Sequence, residues 1–204
     1  MTVRLVLATT NAGKLVELRR ILAADERLAG VEVLSASDVA LPEVDEDGET
    51  FADNALRKAR SGVLACGLPC VADDSGLVVD GLGGGPGVHS ARYAGRHGDD
   101  AANLELVLGR MAGVTDRAAH FVCVAALVAP DGREWTAEGT LEGVLVDTPR
   151  GDHGFGYDPI FQPLGSALTT AEMLPEQKDA ISHRGKAFRA IAAAIAHLAA
   201  PASH

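Results

Sequence analysis

Two adjacent carboxylates, Asp73 and Asp74, close a short apolar run (Cys70, Val71, Ala72) and stand directly before Ser75-Gly76. Acids at the mouth of a buried strand are costly unless a metal, a cation or water compensates them. Neighbours in a strand point to opposite faces, so one acid of the pair aims into any given pocket. An isolated Asp-Asp-Ser-Gly also reads as a solvated turn, and Ser75-Gly76 supplies turn chemistry. Leu77-Val78-Val79 follows as a second apolar run. The glycine-proline segment from Gly81 to Gly87 excludes regular structure and predicts a flexible loop.

Other segments carry chemistry of the same kind. Thr9-Thr10-Asn11-Ala12-Gly13-Lys14 lies between the strand expected over Val3 to Ala8 and a helix whose apolar face is Leu15, Leu18, Ile21 and Leu22. A strand–turn–helix junction offers backbone N–H groups and a positive helix end, which suit a phosphate, and Lys14 adds a charge. It is not a Walker A loop, because Ala8 and Leu15 replace the required Gly and Ser/Thr. An ordinary helix cap, with Asn11 or Thr10 as the capping residue, fits the segment equally well. The run Pro42 to Glu49 packs acids densely but fails the calcium-loop pattern, since glycine falls at Gly48. It reads as a solvated acidic loop, with service to a metal by one acid as the alternative. Gly151 to Pro159 interleaves aromatic residues with glycine, which suits a planar ring held between faces or a tight structural loop. Finally His183, Arg184 and Lys186 crowd the first turn of a helix capped by Ser182. Helix N-termini disfavour cations, so something negative is expected there.

The elements that must position these residues follow from periodicity. A strand is expected over Val31 to Ser35. A helix capped by Thr50 carries Phe51, Ala55, Ala59 and Val63 on its apolar face, leaves Asn54, Arg57 and Lys58 off it, and ends at Gly67-Leu68-Pro69. Asp99 or Asp100 caps a further helix through Leu104, Val107, Leu108 and Met111. The apolar run Ala119 to Ala129, the turn Asp131-Gly132 and the alternating Glu134 to Val146 predict a hairpin, with Trp135 as packing. Glu172 to Lys178 is polar and part-helical, and Pro201 to His204 reads as a frayed tail. The chain of 204 residues is long enough for a substantial core, with 47% hydrophobic and 23% charged residues. A net charge of −10 argues against non-specific binding to nucleic acid or an anionic membrane. Cys66, Cys70 and Cys123 read as small core residues of a reducing compartment. The first apolar run, with Arg4 inside it, reads as too short and too charged for a signal peptide, and no stretch reaches membrane-spanning length. A cytoplasmic location is expected.

Five segments, TTNAGK (Thr9–Lys14), ETFADNALRKAR (Glu49–Arg60), ADDSGLVVDGLGGGPGVHSARYAG (Ala72–Gly95), GFGYDP (Gly154–Pro159) and ISHRGKA (Ile181–Ala187), closely resemble the inosine/xanthosine triphosphate pyrophosphatase family, in order and over nearly the whole chain. The expected fold is a single α/β domain over residues 1–204, a long mixed sheet flanked by helices in two lobes with a nucleotide cleft. The resemblance implies hydrolysis of ITP, dITP and XTP to monophosphate and pyrophosphate, with Mg2+, by a homodimer that cleanses the nucleotide pool. Carried over position by position, Thr9, Thr10, Asn11, Ala12, Gly13 and Lys14 bind the triphosphate. Glu46 and Asp74 hold the metal, and Asp74 also accepts the proton of the attacking water. Ser75 contacts substrate, Phe155, Gly156, Tyr157 and Asp158 cradle the nucleoside, and Lys178, His183 and Arg184 complete the contacts. Two departures stand out: Asp179 replaces a frequent asparagine, and the loop around Glu46 is rich enough that Asp45 and Asp47 compete for the metal.

That reading agrees with the chemistry of phosphoryl transfer, which needs positioning and charge neutralisation more than covalent catalysis. Choosing a 6-oxo over a 6-amino purine requires a donor aimed at O6, from Arg184, His183 or loop N–H groups. An aspartyl-phosphate hydrolase is a poorer fit, since Asp73-Asp74-Ser75 lacks the Asp-x-Asp nucleophile motif. A non-catalytic nucleotide-binding regulator is the other alternative.

Overall fold

The computed structural model describes residues 3–199, and the tail expected from Pro201 to His204 lies outside the described residues. Strands β1 (Val3–Leu7), β2 (Val31–Ser35), β3 (Cys70–Val79), β4 (Ala118–Val128), β5 (Glu134–Leu145) and β6 (Phe161–Pro163) form one sheet in the order β2-β1-β3-β4-β5-β6. Helices α1 (Ala12–Ala23), α2 (Phe51–Cys66), α3 (Asp100–Arg110), α4 (Pro175–Ile181) and α5 (His183–Ala199) complete it. The sheet is mixed: β1 runs parallel to β2 and β3, whereas β5 and β6 are antiparallel. This is the expected α/β class. Among the described residues no helix is long and apolar enough to cross a membrane.

Local chemistry explains most element boundaries. The Asn11 side chain accepts from the Lys14 amide and caps α1. Thr50 does the same for α2 through Asp53, and Gly67 in the left-handed region at φ 67° ends that helix. Asp99 caps α3. β4 is buried almost end to end, while β5 alternates over its length, as a central strand and its outer neighbour should.

One boundary departs from the expectation. β3 runs unbroken from Cys70 to Val79, through Asp73, Asp74, Ser75 and Gly76, with no turn. Both acids are buried, at 1% and 5% exposure, and each has cations beside it. With their charges compensated, the acids do not force the chain to solvent, so strand pairing continues. The segment after β3 is also more ordered than a flexible loop: Val79 N donates to Gly85 O at 3.0 Å and Gly84 N to Val79 O at 3.0 Å. At Gly81 an added Cβ would stand 2.7 Å from Asp116 O, so the backbone is closely packed there. β6 is an addition that periodicity does not announce, being only three residues long.

The chain divides into two compact units, one of Met1–Asp74, Cys123–Gly139 and Arg184–His204, the other of Ser75–Val122 and Thr140–His183. In the first, Leu5, Leu7, Leu18, Ile21, Leu22, Val71, Phe188, Ile191 and Ile195 form one core, with Trp135 packed against it as expected. Ala8, Ala55, Ala59, Ala72, Val124, Ala126 and Val128 form a second core of small side chains under α2. In the second unit Leu77, Val79, Val107, Met111, Phe121, Leu141, Leu145, Tyr157, Ile160 and Phe161 pack together.

Candidate active site

In the first unit, α1, α2, β3 and the start of α5 bring charged side chains together around the two aspartates. Lys14 Nζ lies 3.1 Å from Asp73 Oδ2, and Arg184 Nε lies 3.4 Å from the same oxygen. The Cys123 thiol donates weakly to that oxygen at 3.8 Å. Arg184 Nη1 is also paired with Glu17 Oε2. Burial alone would raise the Asp73 carboxyl, but Lys14, Arg184 and Lys58 outweigh it and hold the group well below the usual carboxylate range. Its second oxygen, Oδ1, is buried with no hydrogen-bond partner among the described residues.

Asp74 faces a different set. Asn54 Nδ2 donates to Asp74 Oδ2 at 3.0 Å, and Lys58 Nζ lies 3.7 Å from Asp74 Oδ1 and 3.0 Å from Glu46 Oε1. Burial pushes the Asp74 carboxyl up and Glu46 adds to this; Lys58, Lys14 and the Asn54 donor do not fully offset it. The result is an acid more basic than a free aspartate. Lys58 is held protonated against its own burial by Asp74, Asp73 and Glu46. Of the three candidate acids in the preceding loop, Glu46 alone is half-buried, while Asp45 and Asp47 are exposed and Asp47 pairs with Arg57. Thr9, Thr10 and Asn11 form the approach to α1, whose first turn holds Ala12 and Gly13, and Thr9 Oγ1 accepts from Asn11 N at 3.2 Å.

In the second unit, Asp158 organises the aromatic glycine loop. Its Oδ2 accepts from Phe155 N at 2.9 Å and from Lys178 Nζ at 2.5 Å, and its Oδ1 accepts from Thr170 Oγ1 at 2.8 Å. A Cβ at Gly154, where φ is +76°, would strike Asp158 Oδ2 at 2.1 Å, so only glycine allows this closure. Tyr157 turns inward: it is 6% exposed, and its hydroxyl donates to Ser90 O at 2.8 Å. Burial, with Tyr93 and Asp100 nearby, raises that phenol far above its ordinary value. Phe155 and Gly156 remain half-buried, with Lys178 Nζ 5.2 Å from the Phe155 ring centroid and Gly156 N donating to Asp100 Oδ2 at 2.9 Å. His183 is buried and stacks on Phe121, with centroids 4.7 Å apart and planes at 16°. Ser75 is half-buried in β3, in extended backbone.

The structure therefore gathers Lys14, Glu46, Asp74 and Arg184 in one unit, and Phe155, Gly156, Tyr157, Asp158 and Lys178 in the other. Two placements refine the sequence reading. The negative charge anticipated at the start of α5 is supplied within the protein, to Arg184 by Glu17 and Asp73. The Tyr157 and Asp158 side chains are spent on holding the loop rather than offered outward. Sequence reasoning missed Lys58, Asn54 and Glu17. Their signal was present, since Asn54 and Lys58 stand i, i+4 on α2 off its apolar face and Glu17 follows Lys14 by one turn of α1, but polar residues off an apolar face ordinarily mean solvent.

Carboxylates buried within β3, with ammonium and guanidinium groups of three helices beside them, suit polyanion chemistry, and comparison with known proteins is in keeping with this. Residues 5–194 match the model of the Ham1 family. The chain is 54% identical to the dITP/XTP pyrophosphatase of Streptomyces avermitilis and 56% identical to that of Streptomyces coelicolor, in each case covering 96% of this chain and 98% of the relative. Among solved structures, the Staphylococcus aureus Ham1 protein superposes with a TM-score of 0.83 at 37% identity, covering 96% of this chain and 99% of that one. The dITP/XTP pyrophosphatase of Mycobacterium abscessus matches with a TM-score of 0.73 at 51% identity, covering 94% and 98%. With identity of this order over nearly its full length, the chain belongs to the Ham1 family.

Proposed function

We propose that this protein hydrolyses deaminated purine nucleoside triphosphates, dITP, XTP and ITP, to the monophosphate and pyrophosphate. The names of its full-length relatives support the substrate class, and one observation carries the chemistry: Asp74 is a buried carboxylate made more basic by its surroundings and held by Asn54 and Lys58. Such a group accepts a proton from an attacking water better than an exposed aspartate does. Asn54 holds Oδ2, and Oδ1, with Lys58 3.7 Å away, is the oxygen assigned to take the proton of the water. Lys58 keeps the neighbouring charges in balance when Asp74 becomes protonated. Lys14 and the turn Thr9 to Gly13 take the phosphates, with Lys14 leaving Asp73 to neutralise charge on the departing pyrophosphate. Ser75 adds a substrate contact. Phe155 and Gly156 offer a ring face and backbone to the base, on a loop held by Tyr157, Asp158 and Lys178. His183 and Arg184 complete the substrate-binding set, His183 oriented by Phe121 and Arg184 through its hold on Asp73.

The same residues fit a divalent cation. Asp73, Asp74, Glu46 and Glu17 outnumber the cations Lys14, Lys58 and Arg184, and burial strains Asp74 in its charged form. Among the described residues no group of three or more His, Cys, Asp or Glu side chains could hold a metal alone. Mg2+ suits such a set, because it is bound through one or two carboxylates together with water and substrate phosphates. We assign Glu46 and Asp74 as its protein ligands. When bound, Mg2+ supplies Lewis-acid polarisation of the phosphate and lowers the pKa of coordinated water. A cytoplasmic homodimer is part of the same proposal, and sedimentation of the purified protein tests the dimer.

The test of the reaction is pyrophosphate release from ITP, XTP, dITP, ATP and GTP assayed in parallel, with and without Mg2+. Release from the deaminated nucleotides alone, dependent on Mg2+, is expected. Orthophosphate as the first product would replace the proposal with a phosphohydrolase, and binding without product would replace it with a regulator.

A further inference from the structure

Lys14 and Glu17 stand one turn apart on α1, so they share a face of that helix. Opposite them, Asp73 of β3 and Arg184 of α5 complete a loop of alternating charge. Lys14 Nζ meets Asp73 Oδ2 at 3.1 Å, Arg184 Nε meets that same oxygen at 3.4 Å, and Arg184 Nη1 meets Glu17 Oε2. Side-chain exposure is 0% for Asp73, 3% for Arg184, 8% for Glu17 and 15% for Lys14, so Lys14 is the member that reaches solvent most. Lys14 and Arg184 thus compete for one carboxylate oxygen while Asp73 Oδ1 has no hydrogen-bond partner among the described residues. A guanidinium paired with a lone carboxylate normally takes both oxygens. Here Glu17 draws Nη1 the other way.

We propose that Glu17 is a positioning residue for Lys14, acting through Arg184: by pulling the guanidinium from Asp73 it leaves that carboxylate dependent on Lys14, and so fixes the ammonium in place. The proposal rests on the reading that Lys14 serves the phosphate chain. In the resting protein Lys14 is held at Asp73. Phosphate binding must break that bond, and Arg184 then covers Asp73 in its absence. Without Glu17, Arg184 closes on both Asp73 oxygens permanently and Lys14 is released with its charge uncancelled.

Glu17→Gln in the full-length protein tests this, first without any nucleotide. Trace acetylation with acetic anhydride, read by peptide mass spectrometry against the exposed Lys186, should rise at Lys14 about threefold or more, because a lysine freed from a buried ion pair is more accessible. With ITP the KM should fall about threefold, since Lys14 no longer surrenders a bond, while kcat falls about tenfold, since a loose ammonium stabilises ground and transition states alike. A merely structural lesion would raise KM instead. In a Lys14→Ala background, Glu17→Gln should leave KM where Lys14→Ala alone puts it. Unchanged acetylation of Lys14, a raised KM, or full additivity with Lys14→Ala overturns the proposal. If circular dichroism shows Glu17→Gln unfolded, Glu17→Asp keeps the charge one methylene further away and should shift labelling in the same direction by less; no shift there overturns it equally. Failure of the wild type to release pyrophosphate would remove the nucleotide reading and leave the labelling result to judge Glu17 by itself.

Discussion

The charged groups of the two units are arranged on opposite principles. Around Asp73 and Asp74 the acids exceed the cations, Asp74 is pushed toward its protonated form, and one buried carboxylate oxygen lacks a hydrogen-bond donor among the described residues. Around Asp158 the account is closed: one carboxylate receives a lysine, a threonine hydroxyl and a backbone amide, and Tyr157 spends its hydroxyl on Ser90. The first arrangement leaves its charges unbalanced. The second is finished, and presents a preset loop whose backbone and ring face remain available. On the function proposed above, the first arrangement suits a polyanion and a metal, which call for adjustable electrostatics, and the second suits a flat, weakly charged ring, which calls for rigidity.

Substitutions separate these principles, and the largest effect is expected at Asp74. Asp74→Asn should cut pyrophosphate release by about a thousandfold, the usual scale for loss of a general base, with the fold retained by circular dichroism. A folded variant with near-normal turnover would remove Asp74 from the chemistry and with it the contrast. At the other unit, Asp158→Ala leaves Lys178 buried without its carboxylate and should destabilise by about 3–5 kcal/mol in a denaturant melt. An unaltered melt would mean the loop is held by packing instead. Lys14→Ala should raise KM for ITP by about tenfold while leaving stability nearly unchanged, because its partner Asp73 keeps Arg184.

A subtler test uses pH, in chelator-treated protein. Asp73 titrates lower in the folded state than unfolded, so it stabilises above its unfolded value of about 3.9, and that stability is lost as pH falls through the folded value. Asp74 is shifted the other way. Its contribution is complete below the unfolded value and is lost as pH rises through the raised folded one. At pH 7, Asp73→Asn should therefore be less stable than wild type and Asp74→Asn more stable, and the Asp74→Asn advantage should vanish near pH 3. Like-signed changes for the two neighbours would contradict the opposite roles assigned to them. The smallest effect should come from Thr170→Val, which removes one of the donors on Asp158 and should cost about 1 kcal/mol.

What could be read from the sequence was local. The caps Asn11, Thr50 and Asp99, the stop at Gly67 and the apolar stripes of α1, α2 and α3 are set by residues a turn apart, and they appear where periodicity places them. The catalytic and binding assignments came from family resemblance. What escaped were pairings across the chain. A turn at Ser75-Gly76 is the natural local reading, but it is overridden because Lys14, Lys58 and Arg184, from three separate helices, make buried aspartates tolerable in a strand. The basic start of α5 likewise signalled an anion without revealing that Glu17, 167 residues away, supplies it. Lys58 stayed hidden because a lysine off an apolar face looks solvated until Glu46 folds over beside it.

The uninterrupted course of β3 also limits how this family can vary. Side chains alternate along a strand, so inserting or deleting a single residue between Cys70 and Asp73 would exchange the faces of Asp73 and Asp74, turning Asp73 toward Lys58 and Asp74 toward Lys14 and Arg184, and a change between Asp74 and Val79 would turn Leu77 and Val79 out of their core. Length changes should therefore accumulate in the connections outside this stretch, while the ten residues from Cys70 to Val79 stay fixed in number even where their identities drift.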